Sequence, residues 1–289
     1  MQISEIHAKI AQLAADGKYF AIITIIRAYG SSPRGVGAKM IALEEGMRIG
    51  TIGGDCLEND AVDEAVRLIG TDKKMFGETG THNESATKVL TMLLDEEESG
   101  GVGMLCGGKV DVLIEVIRPQ LQLVILGSGP VAMSIIHLAD FVDITSTLVD
   151  PIEPRERVPI SCTFVKARHE EGLEKLKVTD STAIILVTRH KNDIPSLTTS
   201  LTTKAGYIGM IGSKHRVQTI LNRVGKTLNI KPQAIGNRVH APIGLDIGAS
   251  TPSELAISIL AEILTFFRKG SGMSKALYIP VKQIQSRKH

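Results

Sequence analysis

"LQLVILGSGPVAMSIIHLA", residues 121–139, decides the fold. An unbroken apolar run ends in a glycine turn, and an apolar-periodic segment follows at once. That order of strand, turn and helix is a Rossmann opening: the glycines let the backbone bend tightly and approach a pyrophosphate, and the first amides of the helix face the anion. Gly127 and Gly129 take the first two glycine positions and Ala132 the third, a variation the motif tolerates. Pro130 suits the first helical turn, because its missing N–H would have no intrahelical partner there. The next predicted strand, "ITSTLVD" (144–150), ends in Asp150, where an acidic side chain commonly binds a ribose 2′-hydroxyl. A carboxylate there disfavours a 2′-phosphate, so NAD is preferred over NADP. "TAIILVT" (182–188) and "YIGMIG" (207–212) read as two more buried parallel strands. The expectation is a doubly wound α/β domain that binds NAD or another nucleotide through Gly127, Gly129, Ala132 and Asp150, against a turn kept by the fold alone.

Upstream the pattern changes. "FAIITIIR" (20–27) and "AKMIAL" (38–43) are β-branched strands around the turn-forming run "AYGSSPRGVG", and "KVLTMLL" (88–94) and "KVDVLIEVI" (109–117) are two more. Between them "GTIGGDCLEND" (50–60) begins a helix, with Asp55 as N-cap and Glu58 closing a capping box. "RPQ" (118–120) is a short linker, which gives a mixed α/β domain over 1–118, the Rossmann-like domain over 119–270 and a basic tail over 271–289. Near the end, "STPSELAISILAEIL" carries a second capping box, Thr251 with Glu254, and Pro252 at the first helical position.

Composition narrows the classes. With 33 basic against 31 acidic side chains, no basic block and no Trp, a nucleic-acid surface is not indicated. The N-terminal 18 residues read as an amphipathic helix rather than a signal peptide, and no run is long enough to span a bilayer. Cys56, Cys106 and Cys162 show no paired spacing, which fits a reducing compartment, so a cytoplasmic protein is expected.

Several residues bear chemistry. Cys56 lies in the first turn of its helix, where the dipole favours thiolate: it is either a ligand or nucleophile, or a small buried hydrophobe, and Cys106 before two glycines shares the ambiguity. Ser32, Arg34 and Lys39 on a glycine-rich loop can grasp a phosphate or carboxylate, or form a solvated turn before a strand. His190 and Asp193, just past a strand's C-terminal end, are the acid–base candidates for a dehydrogenase, with a solvated loop as the alternative.

Taken in order, "GSSPRGVGAKM", "GTIGGDCLE", "CGG", "GSGPVA", "YIGMIGS" and "PIGLDIGASTPSELAISILAEI" resemble the XdhC/CoxI family of accessory proteins for xanthine dehydrogenase and related molybdenum hydroxylases. The resemblance runs from about residue 20 to 268. It implies an N-terminal XdhC/CoxI domain, a C-terminal Rossmann domain, and a maturation factor without turnover chemistry. Such a protein binds molybdenum cofactor, protects it while a cysteine desulfurase supplies the terminal sulfur, and hands it to the apo-hydroxylase. Gly53, Gly54, Cys56 and Glu58 match the first-domain signature, together with the loop over 30–39 and Cys106 in "CGG". On this resemblance Cys56 ligates molybdenum or contacts its dithiolene, and Ser32, Arg34 and Lys39 hold the pterin phosphate. The chain departs from the family at Asp55, where a third glycine is usual, and at Pro130, where a histidine is usual. The first bears on how closely an anion can approach; the second removes one polar contact at the nucleotide site. Two other readings stay open: an NAD-dependent oxidoreductase using His190, and a module that recruits the desulfurase without touching cofactor. A homodimer is expected, because a cleft often needs a second surface to exclude water.

Overall fold

The computed structural model describes residues 3–78, 87–94, 108–188 and 192–273, and they form two sheets of opposite character. The first contains β1 (Phe20–Tyr29), β2 (Lys39–Leu43), β3 (Arg48–Gly50), β4 (Thr87–Leu94) and β5 (Gly108–Ile117) in the order β3-β2-β1-β5-β4, and every pair is antiparallel. α1 (Ile3–Ala15) covers one face through Ile6 and Leu13 against Phe20 and Ile41. α2 (Asp55–Glu78) covers the other. Its Leu57, Ala61, Ala65 and Ile69 recur every fourth residue, forming a stripe buried against Ile23, Ile25, Val112 and Ile114. Each large side chain so buried contributes about 1.5–3 kcal/mol.

The second sheet is wholly parallel. It comprises β6 (Gln122–Leu126), β7 (Thr145–Val149), β8 (Cys162–Val165), β9 (Thr182–Leu186), β10 (Tyr207–Met210) and β11 (Val239–His240) in the order β11-β10-β9-β6-β7-β8. Counted within the sheet this is the 3-2-1-4-5-6 order of the doubly wound fold, and chain direction reverses at the gap between β6 and β9. α3 (Pro130–Phe141) and α8 (Pro252–Arg268) pack on one face. α4 (His169–Lys175), α5 (Asp193–Thr202), α6 (Lys214–Leu228) and α7 (Pro232–Gly236) lie on the other. The molecule is thus mixed α/β, an antiparallel unit joined to a Rossmann-like one. α8 starts as its sequence predicts, with the reciprocal Thr251–Glu254 capping box and Pro252 in the first turn.

α2 starts differently from its sequence reading. The carbonyl of Gly54 accepts the Glu58 N–H at 2.9 Å, so Gly54 is the N-cap and Asp55 is already helical. Glu58 reaches back past both, to the turn at Thr51–Gly53. Among the described residues no helix is long and apolar enough to cross a membrane.

Candidate functional site

Three segments that are distant in sequence meet at one end of the first sheet. β1 ends at Tyr29, β5 begins at Gly108, and a Cβ on Gly108 would lie 2.0 Å from the Ser31 carbonyl oxygen, so only glycine fits there. The turn before α2 closes from the third side: a Cβ on Gly53, at φ +130°, would lie 2.6 Å from Pro33 Cγ and 3.2 Å from Arg34 Cγ. The loop after β1 folds back, because Gly37 N–H donates to the Ile25 carbonyl and Ile25 N–H to that of Ala38. A register shift between Ile25 and Arg27 accommodates that return.

Glu58 fixes the turn. Its Oε1 accepts the Thr51 hydroxyl at 2.5 Å and the amides of Ile52 and Gly53 at 3.0 and 3.2 Å, while Oε2 meets Arg48 Nη1 at 3.3 Å. Burial alone would raise this carboxyl; the bonds from Thr51, Gly53 and Ile52 and the Arg48 charge outweigh it and hold Glu58 below its ordinary range. Glu58 therefore orders the turn. Cys56, one helical position after Asp55, is exposed, so packing as a small buried hydrophobe is not its role; of the two cysteines among the described residues, Cys162 is the buried one.

The three side chains expected to hold phosphate are differently committed. Ser32 Oγ donates to the Arg34 carbonyl at 2.7 Å, closing a local turn, and Lys39 Nζ donates to Thr24 Oγ1 at 2.9 Å across the β1–β2 pair. Arg34 is exposed and makes no ion pair among the described residues. Cys106 lies outside the described residues, two positions before Gly108.

At the second sheet the glycine turn stands above the β6–β9 gap. Gly127, at φ +108°, would place a Cβ 2.5 Å from the Val187 carbonyl oxygen. Gly129 is the N-cap of α3 with Pro130 following, and Ala132 is fully buried. Asp150 faces the turn: Oδ2 accepts Ser128 N–H at 2.8 Å and Oδ1 accepts Ile152 N–H at 2.7 Å. Behind it His169 is 3% exposed, with Nδ1 2.8 Å from Ser196 Oγ. Burial pushes that imidazole below its ordinary range, against the opposing pull of Asp150 and Glu170.

Asp193, a predicted acid–base residue, is 2% exposed and closed into an ion pair. Arg216 donates to it through Nε at 2.9 Å and Nη2 at 2.7 Å, and the Thr188 hydroxyl at 2.5 Å. His190 lies outside the described residues. Sequence reading missed the partners Arg48, Thr51, Arg216 and Glu262. Glu262 binds His240 Nδ1 at 2.8 Å and also accepts the Gly244 amide. Arg216 and Glu262 pair with residues 23 and 22 positions away, beyond any local motif.

The two sites point away from each other. β1 starts and β5 ends at Phe20 and Ile117, paired at the same end of the first sheet, and the chain enters β6 from there. Asp72 on α2 binds Arg118 at that junction, about 24 Å of helical rise from Cys56. The second sheet offers the junction its N-terminal edge, where Asp16 pairs with Lys177 and Gly17 abuts Thr179. The glycine turn lies at the opposite edge.

Residues 123–263 match the family model described as "XdhC Rossmann domain", and residues 13–77 match "XdhC and CoxI family". Among curated relatives, "Uncharacterized protein YqeB" of Escherichia coli (strain K12) is 28% identical over 90% of this chain, which spans 46% of that relative's length. A probable xanthine dehydrogenase subunit of Bacillus subtilis (strain 168) is 23% identical, covering 89% of this chain and 96% of its own. "Molybdenum cofactor insertion chaperone PaoD" of Escherichia coli (strain K12) is 24% identical, covering 90% and 89%.

Proposed function

This chain belongs to the XdhC and CoxI family, and we propose that it is a molybdenum-cofactor chaperone, with residues 1–118 and 119–270 as its two domains. In this reading it shields the cofactor during sulfuration and delivers it to a xanthine dehydrogenase-type hydroxylase. A cysteine desulfurase and a second copy of the chain are its other partners, and the cytoplasm is its compartment. One observation carries the proposal: the turn before α2 and Gly108 both abut the loop after β1, and the first turn of that helix carries an exposed thiol. The names of the second and third relatives support it.

The donor set fits the group. A thiol is the soft ligand that a molybdenum–dithiolene centre accepts, and glycines 53 and 108 leave backbone where a Cβ would intrude. Cys56 would hold the metal end and Arg34 the pterin phosphate by a charge-assisted fork. Lys39 and Ser32 shape the loop through Thr24 and the Arg34 carbonyl. When bound, the cofactor supplies the redox centre of the recipient hydroxylase. The chain's own work is to orient it, through the turn that Glu58 holds, and to keep water from one side of it.

The test is to produce the protein in a host that makes molybdenum cofactor, then measure released pterin by mass spectrometry and molybdenum by elemental analysis. Wild type should carry both; Cys56→Ser should lose molybdenum, and Arg34→Ala should lose pterin. An empty wild type, or an undiminished load in Cys56→Ser, overturns the assignment. Capture of the desulfurase by an empty protein would select the recruitment reading instead.

The glycine turn and Asp150 favour a separate occupant for the second sheet, NAD or another nucleotide. Asp193 is committed to Arg216, so hydride chemistry there would rest on His190. Saturable NAD binding without hydride transfer in a substrate screen is the outcome expected.

A further inference from the structure

A cleft of about 370 Å³ lies between the two sheets, apart from both sites. Small-molecule sites range over about 300–1,000 Å³ and favour such junctions. Its walls come from both halves of the chain: Tyr19 and Arg118 from one, Leu121, Asp180, Phe267 and Arg268 from the other. The Phe267 ring is set by Phe266 edge-on at 5.2 Å and by Gly206, where a Cβ would lie 3.3 Å from that ring and 1.9 Å from the Asp180 carbonyl oxygen. Those contacts give the cleft an aromatic wall beside Leu121.

The charges are arranged unevenly. Arg118 is matched by Asp72 through bonds of 2.8 and 2.6 Å. Arg268 and Asp180 are both exposed, and among the described residues neither forms an ion pair, with the other or with anything else. Burial, with Asp72 next in effect, pushes the Tyr19 phenol up to about 12, so it remains a hydrogen-bond donor at neutral pH. One unmatched guanidinium, one unmatched carboxylate and an aromatic wall in the same small space complement a molecule with an anionic group, a cationic group and an apolar body.

We propose that this junctional cleft binds a small zwitterion with an aromatic body, of the aromatic amino-acid class. Its carboxylate meets Arg268, its ammonium meets Asp180, and its ring packs on Phe267 and Leu121. Tyr19 and Arg118 of the first half line the same cleft, so a ligand held there by the second half also bears on how one sheet sits against the other. This assignment is independent of the cofactor reading.

L-Phenylalanine is the probe, titrated calorimetrically into the full chain beside phenethylamine, which lacks the carboxylate, and 3-phenylpropionate, which lacks the ammonium. The expected result is saturable binding of one L-phenylalanine per chain, at least tenfold tighter than either analogue. Arg268→Gln should weaken it about tenfold and erase the preference over phenethylamine; Asp180→Asn should do the same relative to 3-phenylpropionate. Both residues are exposed, and circular dichroism checks that the variants fold. Hydrogen exchange at Phe20 and Leu121 should slow on binding. Failure of L-phenylalanine to bind wild type more tightly than both analogues overturns the proposal, as does unchanged affinity in both variants.

Discussion

The turn before α2 and the turn before α3 solve one problem in two ways. Each leads from a strand into a helix through a glycine at positive φ, +130° at Gly53 and +108° at Gly127, and each has amides accepted by a carboxylate. In the first the carboxylate is Glu58, from the first turn of the same helix, and Arg48 backs it. In the second it is Asp150, from the end of the neighbouring strand. The local solution makes turn and helix one rigid piece that holds a side chain outward, the Cys56 thiol. The long-range solution ties two βα connections together across the sheet, leaving backbone amides at the start of α3 as the groups on offer. One end is suited to a soft ligand held by a side chain, the other to an anion or ribose met by main chain.

The sharpest way to break the contrast is Glu58→Ala, which strands the Ile52 amide, takes one of two acceptors from the Gly53 amide and removes the charge partner of Arg48. It should cost about 4 kcal/mol in denaturant unfolding at neutral pH. Because the folded-state pKa of Glu58 is lowered, its contribution is present above the unfolded value of about 4.3 and lost as pH falls through the folded one. The gap between wild type and variant should therefore narrow in acid, and a constant gap would show that the charged form is not what the turn binds.

Next come the glycines. Gly127→Ala drives a Cβ against the Val187 carbonyl and should cost about 3 kcal/mol; Gly53→Ala meets the Pro33 ring on a loop that can shift and should cost about 2 kcal/mol. The reverse order in thermal melts would mean that the loop after β1 is the stiffer of the two. Asp150→Asn keeps one acceptor and turns a donor toward an amide, for about 1–2 kcal/mol.

At Gly129 a Cβ meets open space at φ −75°, so Gly129→Ala should lose only about 0.5 kcal/mol, as an N-cap change. Cys56→Ser, on an exposed side chain, should shift stability by less than about 0.5 kcal/mol. A larger loss on unfolding would make the thiol part of the fold and deprive the cofactor experiment of its control.

Much of the architecture is legible from the chain alone. The β6 run, the glycine turn and α3 fall where "LQLVILGSGPVAMSIIHLA" puts them, and the Thr251–Glu254 box forms as written, because caps and turns are set by residues within four positions. The start of α2 differs by one residue for a nearby reason: Asp55 and Gly54 can both precede a helix, and only the path of the main chain selects Gly54. Asp193 reads as an acid awaiting a substrate, since nothing local announces Arg216 as its partner.

Whereas the short strands β3, β8 and β11 came only with the structure, the sequence by itself determined the longer strands, the glycine turns and the family. Those depend on short-range sterics and on apolar periodicity, which act within a few residues of each position. Only the tertiary structure decided that Gly53 meets Pro33 and Gly108 meets Ser31 on the same loop, next to the helix start that carries an exposed Cys56, that Lys39 serves Thr24, and that the two candidate sites face apart with a cleft between them. Each is a contact between segments far apart in sequence, fixed by how antiparallel strands register and how two sheets dock, and no local pattern encodes that geometry.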